Sequence, residues 1–267
     1  MRRFRGFSMV AALAAIALVV PMTALARDGD GARHLTAKPW IFVGTAAQCG
    51  GPAGSRIVTS AWLGGMGLPD NGGLNSPDPS TSNDPHRGLL LNKNGPTTDC
   101  SSAGATINGV TNMVITDPTT FTLGYDYRNG GHCGAGAPRF NLTVTAPTGE
   151  EWTYFVGCAA SVQTPAVQDA EWIQSRSALI TGVAYPAGPA PQPALVPPGS
   201  KIVALDIVFD EGTENAGPSD PNGVGLAVLD NIDINGQLIR SGSGIEPGGG
   251  GRENDDHGSR EGRGRND

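Results

Sequence analysis

Histidine is scarce in this chain, with four among 267 residues, and no pattern of a catalytic device accompanies them. The sequence holds no G-x-S-x-G elbow, no H-E-x-x-H pair and no phosphate-cradling G-x-x-x-x-G-K-[ST] loop. His34 and His257 fall in polar end segments and His86 in a polar loop. His132 adjoins Cys133 in RNGGHCGAG and invites a Cys/His thiol reading, but chain neighbours rarely point together. Glycosidases need two carboxylates ~5–10 Å apart; Glu150 and Glu151 point to opposite sides of a hairpin end and do not form such a pair. These gaps argue for a non-catalytic protein. A hydrolase using carboxylates distant in sequence stays open.

Charge is low too. Charged residues make up 16% of the chain, against a usual ~25%. The balance of 18 basic and 25 acidic residues gives −7, without the basic footprint that nucleic acid or an anionic membrane surface requires. Aromatics are 6%. The four cysteines, Cys49, Cys100, Cys133 and Cys158, include no C-x-x-C spacing, so a thiolate metal site is not suggested. An even count in an oxidising compartment reads as two disulfides.

Residues 1–26 have three arginines, an apolar run and then Ala24-Leu25-Ala26, the order of a cleaved signal peptide. The run is short for a hydrocarbon core of ~30 Å. Export by the general secretory route to the periplasm or beyond is the expectation. Without Arg2, Arg3 and Arg5, 15 basic residues face 25 acidic ones, a net −10. Residues 27–39 read as a mobile start, 40–240 as one domain, and 241–267, Gly-rich and nearly free of apolar residues, as a disordered tail.

Forty glycines and 21 prolines suit short strands, turns and long loops. Strict alternation predicts strands over 120–127 and 202–210. The stretches 139–146 and 150–158 flank Pro147-Thr148-Gly149, a three-residue turn with glycine where φ is positive. That turn sets Val144 opposite Trp152, Leu142 opposite Tyr154 and Phe140 opposite Val156, all on one apolar side. Cys158 then falls opposite Pro138, and Gly134 to Ala137 can bend Cys133 back to it. This favours Cys133–Cys158 and, by elimination, Cys49–Cys100. Further strands are expected around 56–63, 88–92, 112–116, 171–176 and 178–185, a helical turn near 162–170, and an extended connection over 186–199. The sum is an all-β, disulfide-stapled antiparallel sandwich with long loops.

Two questions of chemistry remain. Leu226, Val228, Asp230, Ile232 and Ile234 share one parity, so an unbroken strand would bury Asp230. An unpaired buried carboxylate is costly. A bulge at Asp230-Asn231 would let it accept backbone N–H bonds. The rival is structural Ca²⁺, with Asp210, Glu211 and Asp230 as oxygen ligands and Glu214 and Asp220 in the same loop. The second question is stacking. Trp40, Trp62, Trp152 and Trp172 are the planar rings a sugar platform could use, and Trp62 and Trp172 are the ones left after the hairpin register buries Trp152.

VFDEG followed by GLAVLDNIDINGQLI resembles the closing strands of secreted jelly-roll modules of the galactose-binding-like, carbohydrate-binding type. The block YDYRNGGHCGAGAPRFNLTV…YFVGC is similar to uncharacterised exported bacterial proteins. The first resemblance implies a jelly roll whose closing-strand aspartate, here Asp230, holds a structural Ca²⁺. The expected function is a secreted, non-catalytic module for glycan or cell-envelope polysaccharide. The alternatives are a structural or adhesive protein with an extracellular protein partner, and the hydrolase named above.

Overall fold

The computed structural model describes residues 34–55, 57–68, 86–167, 169–213 and 223–247, all within one compact unit. The expected signal peptide, most of the expected tail, Glu214 and Asp220 lie outside these residues.

Two antiparallel sheets form a sandwich. The first runs β1 (Thr36–Val43), β4 (Ser101–Asn108), β12 (Ser200–Phe209), β7 (Arg139–Thr145), β8 (Glu151–Gly157) and β11 (Ala184–Pro186), with β5 (Val114–Ile115) paired to β12. The second runs β15 (Ile245–Pro247), β2 (Val58–Leu63), β3 (Gly88–Lys93), β13 (Leu226–Ile234), β6 (Thr122–Arg128), β10 (Trp172–Ala178) and β9 (Val162–Pro165), with β14 (Gln237–Ile239) paired to β13. Helix is confined, among the described residues, to one turn, α1 (Ala46–Cys49), and a 3₁₀ turn over Cys158–Ala160. The all-β, disulfide-stapled sandwich is the fold that the strand periodicity predicts.

Alternation supplies the core. Phe140, Leu142 and Val144 face inward from β7 and meet Val156, Tyr154 and Trp152 of β8 in the register set by the Gly149 turn. Tyr125 of β6 crosses the interior and donates to the Pro138 carbonyl at 2.7 Å, tying the sheets together. Burial, with Tyr127 adding repulsion, pushes the Tyr125 phenol well above its usual range. Cys158 lies beside Pro138, and disulfides join Cys133 to Cys158 and Cys49 to Cys100.

Some elements differ from expectation. β1 begins at Thr36, inside the stretch read as mobile, and pairs along its whole length with β4, whose small residues SSAGATIN carry little strand signal. Residues 162–165 form an edge strand on β10 rather than a helical turn. The chain leaves β10 at Ala178, turns, and joins the other sheet as β11, so 178–185 is no single strand.

β13 carries the bulge. Ala227 and Leu229 enter the main core before it, Ile232 and Ile234 after it, so parity switches across Asp230-Asn231. Asn231 absorbs the switch at φ 44°, a left-handed conformation that asparagine tolerates better than most residues. Asp230, Asn231 and Asp233 consequently all face outward.

Candidate functional site: the open sheet face and its cleft

The two outer faces are unlike. On the second sheet, the segment around Leu68 lies across β13, where the Leu68 N–H donates to Asp230 Oδ2 at 2.8 Å. Leu68, Ala166, Trp172 and Val228 form a small apolar cluster there. Beside it Arg176 reaches Asp126 at 2.6 Å and Asp233 at 2.9 Å, and donates to the Asn231 carbonyl at 3.1 Å. Asn231 closes the network on Asp126 at 2.8 Å. Asp126, Asp230, Asn231 and Asp233 are all buried. Charges taken from water need such pairing, so this face is internal architecture.

Among the described residues, the outer face of the first sheet is open. Residues opposed across a ladder point the same way, so the registers of β1, β4, β12, β7, β8 and β11 define its rows. One row runs Trp40, Gly104, Val208, Arg139; the next runs Lys38, Thr106, Asp206, Asn141, Phe155, Tyr185. Gly104 makes the first row possible, because a Cβ there would collide with the Trp40 indole. The ring therefore lies against the sheet over Gly104. Phe42, two residues on, is 44% exposed, and Tyr185 at the far edge is exposed as well. Polar groups hold one another between the rings: Thr106 donates to Asp206 at 2.6 Å, and the Thr143 and Thr153 hydroxyls lie 3.0 Å apart. Six strands at ~4.8 Å spacing give a face about 24 Å across.

At one end the face drops into a cleft of about 360 Å³, bordered by Phe42, Cys49, Ser102, Asp210 and Glu211, with Lys93 and Asp99 in its wall. Lys93 has no exposed surface. Its ammonium donates to the carbonyls of Asp210 at 2.9 Å, Thr97 at 3.0 Å and Asp99 at 3.2 Å, and faces Asp99 Oδ1 at 3.1 Å. This cage of oxygens is what a metal cation would demand, and a lysine fills it. Burial pushes the Asp99 carboxyl up, but hydrogen bonds from Ser101, Ser55 and Lys93 outweigh that and hold it below its ordinary value.

The sequence-derived metal ligands are not brought together. Both Asp210 oxygens take Arg139, at 2.6 and 2.8 Å. Glu211 takes His132 at 2.5 Å, in a hollow over Gly134 and Gly136 where a Cβ would overlap its carboxylate. Asp230 accepts from the Leu68 and Asn231 N–H groups, the latter at 2.6 Å, on the opposite sheet. Among the described residues no group of three His, Cys, Asp or Glu is arranged for a metal ion. The two N–H bonds at the bulge compensate the buried Asp230 carboxylate.

The expected stacking rings are also displaced. Trp62 is 2% exposed and donates to the Ala37 carbonyl at 2.8 Å within the core. Trp172 is wholly buried under the small apolar cluster. Neither offers a face to a ligand. Trp40 and Phe42 do, and the signal that could have found them is the stepped pattern Trp40-x-Phe42 opposite a glycine-bearing strand. Cys133 is locked in its disulfide, so His132 has no thiolate to activate. At the cleft, both Asp210 oxygens accept from Arg139 and the Asp99 carboxyl is held below its ordinary value.

No family model, curated protein or solved structure matches this chain.

Proposed function

We propose that the protein is an exported, non-catalytic binding module that holds a glycan or cell-envelope polysaccharide on the outer face of its first sheet. The observation that carries this reading is the contrast between the faces. One is covered by the chain's own apolar cluster and ion network; the other presents Trp40, Phe42, Phe155 and Tyr185 among Thr, Asn, Asp and Arg. Rings that lie along a sheet present their faces to the C–H side of a sugar, and flanking carboxylates and amides accept and donate to its hydroxyls. The cleft beside Phe42 gives such a chain a place to end.

The test is affinity electrophoresis of the secreted protein through gels containing soluble polysaccharides. Retardation by at least one polymer is expected, weakened about tenfold by Trp40→Ala and several-fold by Phe42→Ala, the scale of aromatic contacts. Both variants should keep the wild-type melting transition within a few degrees. Unretarded migration across the panel, or retardation indifferent to both substitutions, would count decisively against this reading.

A further inference from the structure

Among the described residues, Lys93 and Arg139 at the cleft end of the open face are both already committed. Lys93 is enclosed by three carbonyls and Asp99. Arg139 is the most heavily engaged. Besides its two bonds to Asp210, Nη1 donates to the Gly136 carbonyl at 2.6 Å, Nε donates to Asn141 Oδ1 at 3.0 Å, and the guanidinium lies 5.1 Å over the Phe155 ring. Yet Arg139 sits in the same row as Trp40, where a polymer would lie.

We propose that Asp210 is a specificity-determining residue, which by clamping Arg139 restricts this face to uncharged, hydroxyl-rich polysaccharide and excludes anionic chains. The inference rests on the reading of this face as a polysaccharide platform. A guanidinium beside a stacking ring is the natural anchor for a carboxylate or sulfate, because its planar fork matches both oxygens. Asp210 fills that fork with a carboxylate of the protein's own. Asp206, in the next row, adds negative potential that repels an acidic polymer. Lys38 remains on the face, two strands from Asp206 in the same row.

The experiment compares wild type, D210N and the double variant D210N/R139Q in the full secreted protein. The probes are soluble β-glucan and galactomannan as neutral polymers, and polygalacturonate and alginate as anionic ones, at low ionic strength. Wild type should be retarded by a neutral polymer alone. D210N, with its fold confirmed by an unchanged melting transition, should gain about tenfold or more for an anionic polymer, a gain that falls with added salt and vanishes in D210N/R139Q. Wild type binding polygalacturonate or alginate as well as the neutral polymers overturns the proposal. So does D210N that still binds a neutral polymer without gaining an anionic one. Wild type binding neither class means that the platform reading itself fails, and the proposal falls with it.

Discussion

The Lys93 ammonium and the Asp99 carboxylate stand 3.1 Å apart with side chains 1% and 3% exposed. Breaking a buried pair on one side leaves an uncompensated charge and costs ~3–5 kcal/mol. Lys93→Met should therefore lower the urea midpoint steeply, while Lys93→Met with Asp99→Asn should recover much of the loss. Equal midpoints for the single and double variants would show that the pair is not coupled.

The same pair sets an acid limit. The folded Asp99 carboxyl is depressed below its unfolded value near 3.9. Its contribution is complete above that value and is lost as pH falls toward the folded one. Urea midpoints of wild type should thus drop below about pH 4 more steeply than those of Asp99→Asn. Parallel curves would disprove the assignment.

Two buried tryptophans should respond differently to the same change. Trp62 donates to the Ala37 carbonyl, whereas the buried Trp172 Nε1 has no hydrogen-bond partner among the described residues. Trp62→Phe leaves a buried carbonyl unsatisfied and should cost ~1–3 kcal/mol. Trp172→Phe removes an unsatisfied donor while keeping an aromatic ring, and should cost less than Trp62→Phe. Calorimetric melts of the two variants decide the order.

The disulfides should separate on reduction. Cys133 and Cys158 are 0% and 1% exposed, while Cys49 is exposed at the cleft mouth. Thiolate attack needs access to a sulfur. Graded reductant followed by alkylation and mass spectrometry should label Cys49 and Cys100 first, with the fold retained. Simultaneous labelling of all four would contradict the burial difference.

The fold was legible where local signals agreed. The 139–157 hairpin has period-two alternation and a glycine at the one turn position with positive φ, so turn chemistry and side-chain pattern fix the same register. The bulge was legible too, because an aspartate on an apolar stripe needs compensation. The open face was not. Trp40 and Phe42 resemble core residues in one dimension, and their outward placement depends on Gly104, 64 residues away, leaving room for a ring. Trp62 and Trp172 failed as platforms for the converse reason: Ala37 in one case and Leu68 in the other come from distant segments. The Lys93 cage was equally hidden, since its acceptors are main-chain oxygens that every residue possesses.

The bulge at Asn231 makes β13 behave like a text read in two frames. Upstream, odd-numbered residues are interior; downstream, even-numbered ones are. Deleting that one residue would merge the frames into plain alternation, with Ile232 and Ile234 still inward and Asp233 still outward, because β13 takes three steps from Asp230 to Asp233 where β6 takes two from Asp126 to Gly124. Deleting a residue elsewhere in the strand, with the bulge kept, would instead invert the positions beyond the deletion, whereas a deletion in the loop before β13 only shortens a connection. Insertions and deletions across 223–239 should be tolerated in proportion to whether they preserve that frame, not to how many atoms they remove.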